Sequence, residues 1–170
     1  EVASCDKIIL PGVGAYADAM EALNKEGMGE AVQAFAYSGK PLLGICLGMQ
    51  LLFESSVEFG KTKGLGLIEG EIVKFDTTRF SHRLKVPHMG WNTLHVKKET
   101  PLFRGMPESF YLYFVHSFHA RCDEKYSVGE TLYGYEFTSA VQKGNVFGFQ
   151  PHPEKSHANG LKILKNFVEL

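Results

Sequence analysis

The stretch from residue 44 to residue 50, with the sequence GICLGMQ, restricts the fold of this 170-residue chain more than any other. An apolar run at residues 41–45 leads directly into it, and helix-forming residues continue from 47 to 53. This pattern predicts a buried strand, a sharp turn and then a helix. Glycines two residues before and two residues after Cys46 are needed at such a turn, because neighbouring backbone comes close there. The sequence therefore predicts an α/β fold with Cys46 at a strand-to-helix junction.

Cys46 is the candidate nucleophile. Gly-x-Cys-x-Gly is the pattern of a nucleophile elbow in which a thiol replaces the usual hydroxyl. At the N-terminus of a helix, the dipole and the free N–H groups are expected to favour a thiolate, and the same N–H groups can face an oxyanion. The alternative interpretation is a small, inert cysteine buried in the core, which is the usual state of an isolated cysteine.

A histidine near the C-terminus is the candidate base. It lies in the sequence QPHPEKS at residues 150–156, directly after a predicted strand, and two prolines restrict its backbone. Glu154 can hold the His152 imidazole in one tautomer, and His152 can then deprotonate Cys46 and later protonate a leaving group. Both motifs follow strands, and α/β folds place their sites at the carboxyl ends of strands. The alternative for His-Pro-Glu is a surface turn.

The N-terminal region is predicted to contain a strand and a glycine-rich turn, and such a turn is usually only a connection. The apolar run Ile8–Leu10 predicts a buried parallel strand, and the sequence PGVG at residues 11–14 ends it. Two glycines around one valine leave backbone N–H groups free to point at a ligand. Residues 15–36 are predicted to form a helix in two pieces, broken near Gly27, with one buried face.

The rest of the chain alternates short strands and loops. The sequence PHMGWN at residues 87–92 holds a methionine and the only tryptophan, which suits a partner contact and core packing equally well. The other predicted elements are short strands near residues 71–75, a solvated basic loop at 76–85, a strand at 93–96, one or two strands at 110–119, a strand at 132–137, a hairpin of 139–142 and 146–150, and a helix at 158–170.

Length and composition narrow the class of protein. A chain of 170 residues is expected to form one domain with a sizeable core. A formal net charge of −1 gives no reason to expect nucleic acid or an anionic membrane as a partner. Three widely spaced cysteines fit neither a disulfide framework nor a metal cluster, so a reducing, cytoplasmic setting is expected.

Taken together, the motifs resemble a known family. GICLGMQ with His-Pro-Glu is similar to the class I (triad) glutamine amidotransferases, and PGVG, PHMGWN and HPEKS narrow the resemblance to the glutaminase subunits of imidazole glycerol phosphate synthases. The resemblance implies a three-layer α/β/α, flavodoxin-like domain with a central mixed, mainly parallel sheet. It also implies hydrolysis of L-glutamine, without metal or cofactor, and a tunnel that carries ammonia to a (β/α)8-barrel synthase subunit in histidine biosynthesis. That heterodimer partner would make imidazole glycerol phosphate and aminoimidazole carboxamide ribotide.

The resemblance also assigns residues. The family triad matches Cys46, His152 and Glu154. The oxyanion hole matches the N–H of Leu47 and the Gly12-Val13 peptide, the second becoming competent only after the loop rearranges. The glutamine pocket matches Gln50, His116, Ser117 and Phe118, and the face toward the synthase matches Met89, Trp91 and Lys155.

Two departures from the family pattern leave alternatives open. Pro151 stands where an aromatic residue is usual, and it is expected to shift the backbone of His152. The chain also begins about 30 residues late, so one βαβ unit is expected to be absent from an N-terminally truncated domain. The alternatives are the same glutaminase serving another synthase, such as one that amidates surface sugars, a non-catalytic regulatory subunit of this fold, and a stand-alone cysteine hydrolase.

Overall fold

The computed structural model describes all 170 residues as an α/β fold. The helices are α1 (Tyr16–Lys25), α2 (Met28–Tyr37), α3 (Leu47–Leu51) and α4 (His157–Val168). The strands are β1 (Ile8–Leu10), β2 (Leu42–Ile45), β3 (Phe53–Ser56), β4 (Thr62–Lys63), β5 (Ile68–Lys74), β6 (His88–Val96), β7 (Ser109–His116), β8 (Phe118–Arg121), β9 (Ser127–Tyr133), β10 (Tyr135–Lys143) and β11 (Val146–Phe149). No helix is long and apolar enough to cross a membrane.

The eleven strands form one mixed sheet. Eight of them follow the order β1-β2-β11-β10-β8-β5-β3-β4, while β9 pairs with β10 and β6, and β6 pairs with β7. A mixed sheet was predicted, but parallel pairing is limited to β1–β2, β2–β11 and β3–β5, and the other seven pairings are antiparallel. The sheet is thus not mainly parallel, because short connections such as those of β9–β10 and β10–β11 allow only antiparallel neighbours.

Helices cover both faces of the sheet, as a three-layer fold requires. Leu42 of β2 packs in one core cluster with buried residues of α1 and α2, including Phe35. The next residue, Leu43, belongs to a second cluster on the other face, with Phe167 of α4. Successive side chains of a strand point to opposite faces, so neighbouring residues of β2 contribute to both cores. The predicted three layers are confirmed.

The break between α1 and α2 lies where it was predicted. Gly27 adopts a left-handed conformation with φ of 70° immediately before α2 begins. This conformation is open to glycine at little cost and strained for most other residues.

The predicted elbow forms between β2 and α3. Every residue of β2 is buried, and Cys46 follows with φ of 54° and ψ of −113°. A Cβ atom on Gly44 would lie 2.7 Å from the carbonyl oxygen of Gly48, and one on Gly48 would lie 1.7 Å from that of Leu10. Both glycines are therefore required by close backbone approach. They hold β1, β2 and α3 together around Cys46.

Several predicted boundaries were wrong. The helix after Cys46 ends at Leu51, because Phe53 already pairs with β5 as part of β3. Strand β6 begins at His88 and so includes most of the PHMGWN motif, which was expected to precede the strand. Residues 132–137 form the junction of β9 and β10, not a strand, because Gly134 reverses the chain with φ of 73°.

Candidate active site

The elbow places Cys46 at the end of β2, which lies between β1 and β11 in the sheet. The backbone N–H of Cys46 donates to the carbonyl oxygen of Phe149 at 2.7 Å, which ties the elbow to the strand that precedes His152. A positive φ is uncommon for a residue with a side chain, and such strained residues cluster at functional sites. The side chain is 7% exposed. Cys46 is thus neither a solvent-exposed thiol nor an ordinary core residue.

The His152 side chain is held in one orientation. Its Nδ1 lies 2.5 Å from Oε1 of Glu154, and its backbone N–H donates to the carbonyl oxygen of Tyr113 at 2.9 Å. Because a carboxylate only accepts hydrogen bonds, Nδ1 carries the proton and Nε2 is left with a free lone pair. Nε2 is buried and has no hydrogen-bond partner within the protein. A buried, unpaired imidazole nitrogen of this kind is suited to accept a proton.

Pro151 does not disturb the strand end. The residues on either side keep their backbone hydrogen bonds, from Gln150 to Ser139 and from His152 to Tyr113, both at 2.9 Å. A proline is tolerated at a position whose N–H has no ladder partner to lose. The displacement of His152 that was expected from Pro151 therefore finds no support in these contacts.

Cys46 and His152 line the same cavity of about 340 Å³. Such a volume suits a small polar molecule with a few convergent polar groups. Predicted residues that share this lining are Val13, Leu47, Gln50, His116, Ser117 and Phe118. The residues that sequence reasoning missed are Gly14, Glu58 and Val115.

Other predicted residues lie around this cavity rather than in its lining. Glu154 contacts the far nitrogen of His152. Gly12 lies against the first turn of α3, where a Cβ atom would come 3.3 Å from Cβ of Leu47. Met89 and Trp91 have exposed side chains on β6, and the side chain of Lys155 is also exposed.

The Cys46 sulfur has two hydrogen-bond partners in addition to the backbone of Leu47. Sγ lies 3.9 Å from the carbonyl oxygen of Val115 and 3.8 Å from the side-chain nitrogen of Gln150. It has no direct hydrogen bond to His152, whose Nε2 is unpaired. Catalytic hydrogen bonds are often long or absent without substrate and tighten when it binds.

Burial raises the pKa of the Cys46 thiol to about 11. The N–H of Leu47, the charge of Lys155 and the amide of Gln150 act in the opposite direction, while the charge of Glu154 adds to the rise. The prediction that the helix N-terminus favours a resting thiolate was therefore wrong. The physical reason is that α3 has only five residues, whereas the desolvation of the sulfur is extensive. A thiol with this pKa would need a base to become a nucleophile, and the imidazole of His152 lines the same cavity.

A wall of this cavity is fixed by side-chain amides and histidines. Nε2 of Gln50 donates to the carbonyl oxygen of Phe118 at 3.2 Å and to Oε1 of Gln150 at 3.0 Å. The same carbonyl oxygen accepts from Nδ1 of His116 at 2.8 Å. Gln50 and His116 thus line this cavity, and both hold the connection between β7 and β8 in place.

The carboxylate of Glu58 lines the cavity, although Glu58 was not predicted from the sequence as a site residue. It lies in the loop after β3, and its Oε2 accepts a hydrogen bond from the backbone N–H of Tyr16 at 3.4 Å. Glu58 is the one carboxylate that lines the cavity. Its place in a polar loop, twelve residues after Cys46, gives no signal in the sequence.

Comparison with known proteins agrees with this geometry. The family model described as glutamine amidotransferase class-I matches residues 2–170. The imidazole glycerol phosphate synthase subunit HisH of Sulfurimonas denitrificans is 67% identical over 165 residues, which are 96% of this chain and 79% of the relative. HisH of Wolinella succinogenes is 63% identical over 166 residues, covering 97% of this chain and 81% of the relative.

The fold has solved counterparts. The structure of PurLQS from Thermotoga maritima superimposes with a TM-score of 0.71 at 23% identity, over 96% of this chain and 79% of that one. Likeness at this level of identity concerns the fold, whereas the matches in sequence extend over nearly the whole chain. This chain therefore belongs to the class I glutamine amidotransferase family, and within it to the group formed by the HisH subunits of imidazole glycerol phosphate synthase.

Proposed function

We propose that this chain hydrolyses L-glutamine to glutamate and ammonia through a thioester on Cys46. The observation that carries the proposal is the state of His152. Its Nδ1 is held by Glu154, and its unpaired Nε2 belongs to a side chain that lines the same cavity as the thiol. A base with one nitrogen oriented and the other free is the arrangement that nucleophilic catalysis requires.

The first half-reaction forms the thioester. Nε2 of His152 takes the proton of Cys46, and the thiolate attacks the carboxamide carbon of glutamine. The N–H of Leu47, beside the sulfur, is placed to stabilise the oxyanion. His152 then gives its proton to the departing nitrogen, the carbon–nitrogen bond breaks, and ammonia leaves.

The second half-reaction restores the thiol. Water attacks the thioester carbon while Nε2 of His152 accepts a proton from it. The carbon–sulfur bond breaks, glutamate is released, and Cys46 recovers its proton from His152. No step requires a metal ion or an organic cofactor.

The second oxyanion donor is proposed to be the Gly12-Val13 peptide. The PGVG loop lies beside α3, and its Val13 side chain lines the cavity and is 80% exposed. Gly14 has φ of 100°, a conformation that glycine adopts at little cost, and its missing side chain leaves the backbone of the loop freer to change. The peptide becomes a donor after the loop rearranges, and losing one such donor lowers the rate about 100- to 1,000-fold.

The polar groups of the cavity match the two ends of glutamine. The carboxylate of Glu58 is the group suited to bind the α-ammonium of the substrate, because it is the one negative charge in the lining. Ser117 and the backbone around Phe118 also line this cavity and are proposed to bind the rest of the amino acid. The neutral Gln50 and His116 side chains hold the carbonyl group of Phe118 in place.

We further propose a (β/α)8-barrel synthase subunit as the partner that receives the ammonia. Support comes from the names of the HisH relatives and from exposed apolar side chains on one side of β6. Met89 is 62% exposed and Trp91 is 48% exposed, and because they stand two residues apart on one strand, they lie on the same face of the sheet. Lys155 is the residue after Glu154 and stands three positions after His152. A partner that contacts Lys155 would therefore lie close to the proposed catalytic histidine. The heterodimer would act in histidine biosynthesis in the cytoplasm, in keeping with three free cysteines.

The test is a steady-state glutaminase assay of the chain in two conditions. In the first the chain is alone, and in the second it is mixed with an acceptor analogue and with the synthase subunit that pairs with HisH in Sulfurimonas denitrificans. We expect almost no ammonia release alone and at least a tenfold rise with the occupied partner, about 1.4 kcal/mol of transition-state stabilisation. The Cys46→Ser variant is the control for contaminating activity. Absence of turnover in both conditions would favour a non-catalytic subunit. Equal turnover in both conditions would contradict stimulation of the glutaminase by the partner.

A further inference from the structure

The side chain of Gln150 belongs to none of the roles assigned so far, although it contacts the nucleophile. It is completely buried at the end of β11, two residues before His152. Its Nε2 lies 3.8 Å from Sγ of Cys46, and its Oε1 lies 3.0 Å from Nε2 of Gln50. A buried amide keeps its place only when both ends are satisfied.

The surrounding network decides which end of the Gln150 amide faces the sulfur. The carbonyl oxygen of Phe118 can only accept hydrogen bonds, so Gln50 must turn its Nε2 toward it. That same Nε2 also faces Gln150, which must therefore present its Oε1. The NH2 group of Gln150 is then left to point at Cys46. The orientation follows from a fixed backbone carbonyl rather than from a choice between equivalent flips.

We propose that Gln150 is a further catalytic residue, whose amide N–H stabilises the charge that develops on the Cys46 sulfur. In the neutral state the S–H group can donate to the carbonyl oxygen of Val115, at 3.9 Å. When His152 removes the proton, that contact is lost as a hydrogen bond and the sulfur becomes an acceptor. Gln150 and the N–H of Leu47 then donate to it from positions that already exist. The direction of this effect agrees with the lowering of the Cys46 pKa by the Gln150 amide.

Gln150→Met tests the proposal, because it keeps the length of the side chain and removes the donor. The readout is the rate at which iodoacetamide alkylates Cys46 at pH 8, followed by mass spectrometry of the Cys46 peptide so that Cys5 and Cys122 do not interfere. Below the pKa of the thiol, this rate is proportional to the thiolate fraction. Loss of a hydrogen bond to the charged sulfur lowers that fraction. We expect a three- to tenfold slower reaction, because higher intrinsic nucleophilicity offsets part of the change.

The matched control is Gln142→Met, on the neighbouring strand β10, where the amide of Gln142 contacts only the carbonyl oxygen of Gly144. It should alkylate at the wild-type rate. A thermal melt accompanies each variant, and Gln150→Leu takes the place of the methionine variant if the latter does not fold. A folded donor-free variant that alkylates as fast as the wild type would overturn the proposal.

This inference rests on Cys46 being the nucleophile, yet its test does not require glutaminase turnover. In the assembled complex, Gln150→Met should lower kcat at least threefold with a smaller change in KM, since the amide contacts the sulfur rather than the substrate. If the wild type released no ammonia but the alkylation rates still differed, the proposed function would fail while the role of Gln150 toward the sulfur stood. A change confined to KM would contradict that role.

Discussion

The buried histidines of the β-sheet should make this fold sensitive to acid. The ring of Phe75 lies 6.3 Å from that of His88, 5.2 Å from that of His116 and 4.9 Å from that of His119, between ring centroids. Burial lowers the pKa of His88 to about 4 and that of His116 to about 3, and it lowers the pKa of His119 as well. All three side chains are therefore neutral in the folded protein at pH 7.

Hydrogen bonds reinforce the neutral state. His116 donates from Nδ1 to the carbonyl oxygen of Phe118, so its Nε2 accepts from Nδ1 of His88 at 3.0 Å. Nε2 of His88 in turn accepts from Nδ2 of Asn92 at 3.1 Å. Protonation of either ring would place two donors face to face, because an imidazolium has no acceptor.

The size of the effect follows from proton linkage. In the unfolded chain each histidine titrates near pH 6.5, so between pH 6.5 and 4 the unfolded state binds more protons than the folded one. The free energy of unfolding must then fall as the pH falls. At pH 5, His88 and His116 each remove about 2 kcal/mol relative to neutral pH, or about 4 kcal/mol together. That loss is a large share of the 5–15 kcal/mol typical of a domain.

Urea unfolding at pH 7, 6 and 5, followed by far-UV circular dichroism, measures this dependence. Replacing His88 by asparagine removes about one of the protons that unfolding takes up near pH 5. The slope of the unfolding free energy against pH should therefore fall by about 1.4 kcal/mol per pH unit there, whatever the effect of the substitution at pH 7. His82→Asn changes an exposed histidine and should leave the dependence as it is. Equal pH dependence in wild type and His88→Asn, or a stability that stays flat from pH 7 to 5, would refute the reasoning.

Three further predictions concern the active site. Cys46→Ser should abolish ammonia release and leave the melting temperature nearly unchanged, because the elbow rather than the sulfur holds the turn; retained turnover would contradict the triad. Glu154→Gln should lower kcat less than His152→Ala does, since Glu154 only orients the ring that carries the proton. Steady-state kinetics measure both kcat values, and an equal or larger loss in Glu154→Gln would contradict these roles. Glu58→Gln should raise KM for glutamine about tenfold or more with a smaller effect on kcat, and a change in kcat alone would exclude it from α-ammonium binding.

The sequence was sufficient for those parts of the site that local backbone geometry requires. Gly44 and Gly48 are needed because any side chain there would collide with backbone, and this is a constraint that the motif itself expresses. The orientation of His152 by Glu154 follows from two residues only two positions apart. The break of the first helix at Gly27 is equally local.

Features that depend on distant contacts could not be predicted. Helix α3 ends early because Phe53 finds Ile68 as a strand partner, a pairing that periodicity does not reveal. Strand β9 has the sequence SVGETLY, whose polar residues give no alternating apolar pattern, although four of its seven positions are buried. The position of Glu58 at the cavity depends on the conformation of the loop after β3 and on its contact with the backbone of Tyr16. The state of the Cys46 thiol was mispredicted for the same reason, since desolvation comes from surrounding elements and not from the helix that Cys46 precedes.

The high pKa of Cys46 and the proposed catalytic role of the cavity are compatible, because both arise from burial. At pH 7, ionising a thiol of pKa about 11 costs about 5 kcal/mol, so the resting site holds little thiolate. The low dielectric that imposes this cost also strengthens the hydrogen bonds of Leu47 and Gln150 once charge develops on the sulfur or on an oxyanion. The proton removed from the sulfur remains on His152, so the ion pair of the reacting state replaces an isolated buried charge. A site built in this way reacts slowly with solvent-borne electrophiles, and the proposed transfer of the proton to His152 makes Cys46 nucleophilic toward a bound substrate.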